Sequence, residues 1–319
     1  MLSRIAESVY WMSRSLERTD NTARLLDINL TQRLEADEAG GEEVRWAPLL
    51  HIVAGNEDYE RIFPDGAITG PRVIRYMVQE KDNAGSIHGA LKASRENARV
   101  ARDRISKEMW ESLNEFWLQV EGHVAHRQPP EWESAFFKHV RAEVARFHGL
   151  TMSTMLRGDA FNFYLLGTFL ERADMTARIL DVKYHRLLLD SSLVGSPLDY
   201  YEWGALLKSL SGFEAYRRHH HGGIRPVDVV QMVVFSRQFP RSLHFSVDRI
   251  HRAIEEIGTS RADGAVGQAL ARLASLLAGR APEDVARDDL HVFLADYLEQ
   301  LSSLHSALQN EYFEAHLGT

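Results

Sequence analysis

The sequence predicts an all-α protein of about a dozen helices, arranged as two tandem helical bundles related by a pseudo-two-fold axis. Apolar residues recur at helical spacing through most of the 319 residues. No segment alternates apolar and polar residues between turn signals, which is the pattern of a half-buried strand. A polar stretch of twelve residues occurs twice, 154 positions apart, and this indicates an internal duplication.

Helix boundaries follow from turn and capping signals. Residues 3–34 contain no Pro or Gly, carry apolar residues at helical spacing and begin at Ser3, a good cap. Loops are predicted at 35–43, 191–201 and 258–264, which carry Gly. Pro282, followed by two acidic residues, marks the start of the last helix. The predicted helices are 3–34, 46–63, 72–79, 83–105, 106–126, 132–156, 160–190, 202–218, 225–237, 243–257, 265–279 and 283–314.

Composition narrows the class of protein. A chain of 319 residues that is 45% hydrophobic can bury a large core. The absence of Cys excludes disulfides, Cys-based zinc sites and a Cys nucleophile. A net charge of −8 argues against a nucleic-acid binder. No apolar run approaches the roughly 18 residues of a membrane span, and the N-terminus lacks the apolar core of a signal peptide. We therefore expect a cytoplasmic protein, and composition sets no oligomeric state.

The duplicated stretch covers residues 16–27 and recurs at 170–181, with nine of twelve positions identical. Most of the shared residues are polar, so the match is not a coincidence of hydrophobic composition. A Trp-containing segment at 46–61 also recurs at 203–218, at an offset of 157. We predict two repeat units, 1–157 and 158–319, packed as one globular body.

The shared charges lie on one face of their helix. At about 100° per residue, Glu17, Asp20, Arg24 and Asp27 fall within an arc of about 80°, and Arg18 falls outside it. The i,i+4 and i,i+3 spacings let Asp20 and Asp27 each reach the Arg24 guanidinium. Apolar residues flank the arc, which predicts a partly buried polar network.

This network has three interpretations. It can consist of intrahelical salt bridges that orient a central helix. The two helices can instead meet across the pseudo-axis, where Glu17, Asp20, Glu171 and Asp174 would form a site for Mg²⁺ or Mn²⁺. It can also recognise a partner or a small ligand. Di-metal bundles use a Glu-x-x-His motif, but here the residue three positions after each Glu is Asp. We therefore predict no cofactor, and a divalent metal is the less favoured alternative. The candidate binding residues are Glu17, Arg18, Asp20, Arg24, Asp27, Glu171, Arg172, Asp174, Arg178 and Asp181.

Familiar catalytic motifs are absent from the sequence. It contains no phosphate-binding Gly-rich loop, no Gly-x-Ser-x-Gly turn and no His-Glu-x-x-His pair. No catalytic residue is assigned, and the sequence favours a protein that is not an enzyme.

Residues 8–24 and 169–178, which contain the two Glu-Arg pairs, resemble the bacterial alpha-E domain family, and the resemblance covers essentially the whole chain. The family is named for its helical content and its Glu-Arg motif. Its members are typically encoded beside, or fused to, circularly permuted ATP-grasp ligases, with transglutaminase-like peptidases as frequent neighbours. The resemblance implies a non-catalytic partner of such a ligase in peptide or amide synthesis or processing. The alternative is an enzyme or ligand-binding protein with a carboxylate-rich site between the two Glu-Arg helices.

Overall fold

The computed structural model describes residues 3–35, 41–126, 133–188, 197–258, 263–288 and 290–314. Within these ranges the chain forms α-helices, two π-helical turns and connecting turns, with no strand, so the all-α prediction is confirmed. The helices are α1 (Ser3–Glu35), α2 (Gly41–Ile52), α3 (Asn56–Ile62), α4 (Gly70–Val78), α5 (Ile87–Val100), α6 (Lys107–His126), α7 (Ser134–Thr154), α8 (Asp159–Leu188), α9 (Pro197–Ser209), α10 (Phe213–His219), α11 (Pro226–Val230), α12 (Leu243–Ile257), α13 (Ala265–Ala278), α14 (Pro282–Asp288) and α15 (Leu290–Leu308). The π-helical turns are Gln231–Phe235 and Gln309–Phe313.

Two predicted helices are each divided in two. The segment 46–63 breaks between α2 and α3 at Ala54, and 202–218 breaks between α9 and α10 at Ser211. Both residues are left-handed, with φ of 51° and 52°. The amides of Gly55 and Gly212 then donate to the carbonyls five residues earlier, at 2.9 and 2.7 Å, which closes each helix end. The predictions of single helices here are wrong because Ala and Ser carry no signal for a left-handed residue.

Close packing explains the Gly that follows each break. A Cβ at Gly55 would lie 2.7 Å from the Tyr76 hydroxyl oxygen. A Cβ at Gly212 would lie 2.9 Å from Cζ of Phe239. Any larger residue would displace a buried aromatic ring, so both turns need Gly for space.

Several other boundaries differ from prediction. α5 is Ile87–Val100 where 83–105 was predicted, because turns flank it at both ends, and the predicted helix 225–237 is α11 followed by the first π-helical turn, which ends at Phe235. α9 begins at Pro197 inside the predicted loop 191–201, and α2 begins at Gly41 inside the predicted loop 35–43. Residues 36–40, 189–196 and 259–262 lie outside the described ranges. The predicted last helix, 283–314, consists of α14, α15 and the second π-helical turn. No described helix is long and apolar enough to cross a membrane.

The chain divides into two compact units, Met1–Thr168 and Phe169–Thr319, and the division falls inside α8. The predicted repeat units 1–157 and 158–319 stay a prediction. In the first unit, α1 packs along α5 and α7. Val9, Met12 and Leu16 of α1 are fully buried. Ser94 of α5 donates a hydrogen bond to the Met12 carbonyl oxygen at 3.0 Å, so the two helices approach closely.

The start of α8 also packs against α1 within the first unit. A Cβ at Gly167 would lie 2.3 Å from the Tyr10 carbonyl oxygen and 2.1 Å from Oγ of Ser13. Only the absence of a side chain allows this backbone approach. α1 is therefore surrounded by helices, and its side chains are buried on most faces.

In the second unit, α13 packs on α15, and α12 contacts both α13 and the first π-helical turn. Leu273, Leu294, Leu301 and Leu304 are buried between these helices. The pseudo-two-fold relation between the two units stays a prediction, although several local structures recur at the repeat offset. Besides the two left-handed residues, these include the caps of α5 and α12.

Those two caps are alike in detail. Ser86 and Ser242 are fully buried, and each Oγ accepts a hydrogen bond at 3.0 Å from an amide in the first turn. Each hydroxyl also donates to a carbonyl six residues earlier, that of Glu80 or Ser236. Each Ser thus fixes both the helix and the preceding turn.

We predict that Ser242→Ala and Ser86→Ala each lower the free energy of unfolding by about 1–2 kcal/mol, because each removes a cap and leaves buried groups unpaired. Urea unfolding followed by circular dichroism measures this. Ser275→Ala in α13, where the Ser is exposed, is the control and should change stability by less than about 0.5 kcal/mol. Equal effects at all three positions would contradict the capping role.

Candidate functional site

The first copy of the Glu-Arg stretch is almost completely buried. Nη2 of Arg24 donates to both carboxylate oxygens of Asp20, at 2.8 and 3.0 Å, and the side chains are 9% and 6% exposed. The i,i+4 spacing and the helix geometry place the two groups on one face. A charge pair this deeply buried is retained only when it is well paired, because each unpaired charge would cost several kcal/mol.

The i,i+3 spacing predicted that Asp27 would pair with Arg24. Asp27 instead pairs with side chains of α7. It accepts hydrogen bonds from Oγ of Ser134 and from Nη1 of Arg141, the latter at 3.1 Å. Asp27 is 3% exposed. The last acid of the stretch therefore ties α1 to α7 and does not extend an intrahelical network.

Glu17 has no solvent exposure, and its Oε2 lies 3.4 Å from Nε2 of His148 on α7. The other ring nitrogen, Nδ1, pairs with the hydroxyl of Tyr164, which is buried in α8. A protonated imidazole would balance the buried carboxylate. The side chain of His148 is 25% exposed, which makes it the most exposed of these three residues.

The two Arg residues of the Glu-Arg pairs contact the turns that precede α5 and α12. Arg18 is half-buried and lies against Gly85. Nη1 of Arg172 donates to the carbonyl of Pro240 at 3.4 Å, and its guanidinium stands 5.1 Å from the centre of the Phe169 ring. Arg172 thus holds the turn that precedes α12.

The second copy repeats the pairing but is open to solvent. Nε of Arg178 lies 2.8 Å from Oδ2 of Asp174, with the side chains 33% and 26% exposed. Asp181 pairs with Nδ1 of His291 at 2.6 Å, and is 22% exposed. Glu171 stays buried. The carboxylates of Asp174 and Asp181 are therefore reachable from solvent, unlike those of Asp20 and Asp27.

A buried tyrosine lies under this open copy. The Tyr297 hydroxyl has no hydrogen-bond partner among the described residues. Burial, and to a smaller extent the Asp174 carboxylate, raise the pKa of Tyr297. The phenol therefore stays neutral, and it contributes no charge to the site.

Most of these partners were missed from the sequence. Ser134 and Arg141 lie more than 100 residues from Asp27, so no spacing rule connects them. One signal was present: Ser134 and His291 occupy the same repeat position, 157 residues apart, and each pairs with the last Asp of its stretch. A polar residue at equivalent positions of both copies is a usable sign of a network partner.

Metal binding gains no support from the geometry of the described part of the chain. No group of three or more His, Asp or Glu side chains there could hold a metal ion. The candidate ligands Glu17, Asp20, Glu171 and Asp174 are thus not assembled with enough further ligands to bind one.

Fold and site together define an all-helical protein with a duplicated, charge-bearing Glu-Arg helix. The chain belongs to the Alpha-E family, described as a predicted alpha-helical domain with a conserved ER motif, whose model matches residues 1–313. It is similar to an uncharacterized protein of Mycobacterium bovis and to uncharacterized proteins of two Mycobacterium tuberculosis strains, with 24% identity over 96% of this chain in each case. The chain spans only 36% of the length of these relatives. No solved structure matches it.

We predict that Arg24→Met is far more destabilising than Arg178→Met, although the two residues are equivalent in sequence. Removing Arg24 leaves the Asp20 carboxylate in the core without its guanidinium partner, a loss of about 3–5 kcal/mol. Removing Arg178 from a pair that is 33% and 26% exposed, and that is not in the core, should cost about 0–1 kcal/mol. Urea unfolding of the two variants and the parent measures both values, and each variant is the control for the other. Equal losses would contradict a structural role confined to the first copy.

Proposed function

We propose that this protein is a non-catalytic helical partner of a circularly permuted ATP-grasp ligase in a bacterial peptide or amide synthesis or processing system, and that it acts in the cytoplasm. One observation carries the proposal: the matched relatives contain this whole domain as about a third of a longer chain. A domain that is covalently joined to other domains in relatives is suited to act on the same substrate as those domains. A transglutaminase-like peptidase is a second expected partner.

The second copy of the motif supports a contact surface. Asp174 and Asp181 place two partly exposed carboxylates on one face of α8, about two turns apart, and the helix is fixed by its buried Leu170, Ala173 and Leu180. Charges held on a rigid helix set the orientation and register of a partner that carries the opposite charge. The absence of phosphate-binding and nucleophile motifs from the sequence supports an accessory role over an independent catalyst.

The test is affinity capture of the tagged protein from its source bacterium, with the bound proteins identified by mass spectrometry. We expect an ATP-grasp ligase at near-equal amount. Purified components then give the dissociation constant and the rate of ATP hydrolysis by the ligase with and without this protein. Failure to bind the purified ligase would overturn the proposal.

We predict that the double variant Asp174→Asn, Asp181→Asn binds the ligase at least tenfold more weakly, because it removes the two reachable carboxylates, while its unfolding midpoint stays nearly unchanged. Asp58→Asn in α3 is the matched control, since Asp58 also pairs with an Arg on its own helix and is 56% exposed. Its binding should equal that of the parent. Unchanged binding by the double variant would show that the ligase does not bind at the second motif copy, but it would not contradict the partnership.

The carboxylate-rich alternative, an enzyme or ligand-binding protein that uses Mg²⁺ or Mn²⁺, has its own measurement. We expect metal analysis of untreated protein to give no divalent metal above background and added Mg²⁺ or Mn²⁺ to leave the melting temperature unchanged. A stoichiometric metal lost in Asp174→Asn would favour the alternative over the accessory role.

A further inference from the structure

A pocket of about 350 Å³ lies in the first unit. It lies where the end of α4, the turn after it, the start of α5 and the end of α6 come together. Its volume falls near the lower end of the roughly 300–1,000 Å³ typical of small-ligand sites. Val124 and Ala125 give α6 a small apolar wall, and the remaining lining is polar or charged.

Most charges in this pocket are already paired. Oε2 of Glu80 lies 3.7 Å from Nε of Arg75. Nε2 of His88 lies 2.5 Å from Oε2 of Glu121, and the His88 ring packs 4.9 Å from the ring of Trp117. These pairs make a fixed wall of the pocket and leave little net charge there.

Lys81 is the exception. Its ammonium group has no ion-pair partner in the described ranges of the chain, and its side chain is exposed at the pocket edge. The pocket thus presents one ammonium group that is not held in an ion pair with any described residue and can pair with a ligand carboxylate, beside the paired carboxylates of Glu80 and Glu121. The nearby carboxylates of Glu80 and Glu121 disfavour a phosphate with two or more charges.

Gln79 adds a second requirement. It also lines the pocket, and its side-chain oxygen is shielded from solvent with no hydrogen-bond partner among the described residues. A shielded acceptor without a donor costs about 1–3 kcal/mol. A ligand N–H that reaches this oxygen would supply the missing bond. Phosphate and simple carboxylates carry no N–H, whereas an amide does.

We propose that this pocket binds the C-terminal residue of a peptide. The terminal carboxylate pairs with Lys81, the amide N–H next to it donates to Gln79, and a small side chain packs on Val124 and Ala125. One group with a carboxylate two bonds from an amide N–H satisfies both unmet requirements at once. The inference rests on the pocket alone and does not depend on a ligase partner.

Isothermal titration calorimetry on the full chain tests the proposal with N-acetyl-Ala-Ala as the probe. The C-terminally amidated form, acetate and inorganic phosphate are the comparison ligands. We expect the free acid to bind at least tenfold more tightly than each of them, because only the free acid offers both a carboxylate and an amide N–H. No binding of the free acid at millimolar concentration, equal binding of acid and amide, or tighter binding of phosphate would each overturn the proposal.

Variants separate the two contacts. Lys81→Gln should lower the affinity for the free acid at least tenfold and leave the affinity for the amidated peptide unchanged. Gln79→Leu should lower the affinity for the peptide acid and leave the affinity for acetate unchanged. Lys107→Gln is the matched control, since Lys107 is an exposed lysine of the same unit, 76% exposed and outside the pocket. A loss of acid binding as large in Lys107→Gln as in Lys81→Gln would show general charge attraction and overturn the site. Because all these titrations omit the ligase, their failure is distinct from failure of the proposed partnership.

Discussion

The burial of charge on α1 is the constraint on which the first unit depends. Glu17, Asp20, Arg24 and Asp27 are each less than 9% exposed. Desolvating four ionisable groups on one helix costs far more than a domain's net stability unless every group is paired. Asp20 and Arg24 satisfy one another within the helix. α7 supplies His148 to Glu17, and it supplies Ser134 and Arg141 to Asp27.

This requirement sets the position of α7 more strictly than apolar packing does. A hydrophobic contact tolerates a shift of a few tenths of an ångström, whereas a charge-assisted hydrogen bond weakens quickly with distance and angle. Two contacts, one at Glu17 and one at Asp27, lie three turns apart along α1 and fix the register between the helices. The close contact of Ser94 with the α1 backbone does the same for α5.

Periodicity and turn chemistry predicted the helices where caps were explicit. α12 has the predicted bounds, because Ser242 caps its start and Gly258, left-handed at φ 71°, ends it. The breaks at Ala54 and Ser211 were missed, since Ala and Ser do not favour the left-handed conformation that both residues adopt. The charged face of α1 was predicted, but its partners on α7 were not. The difference in solvent exposure between the two motif copies could not be predicted from the sequence either, because nine of their twelve residues are identical.

The two copies show that one motif can meet two physical demands. In α1 the stretch is enclosed, so its charges serve the fold and tolerate little change. In α8 the same Asp-x-x-x-Arg pair is about a quarter to a third exposed, and there its energetic contribution to folding is small. Retention of the second pair is therefore not explained by stability. The partner contact that we propose would use this charge for orientation, since specificity depends on placed charges even where they add little affinity. The contribution of the Glu-Arg stretch to folding therefore has to be measured separately for each copy.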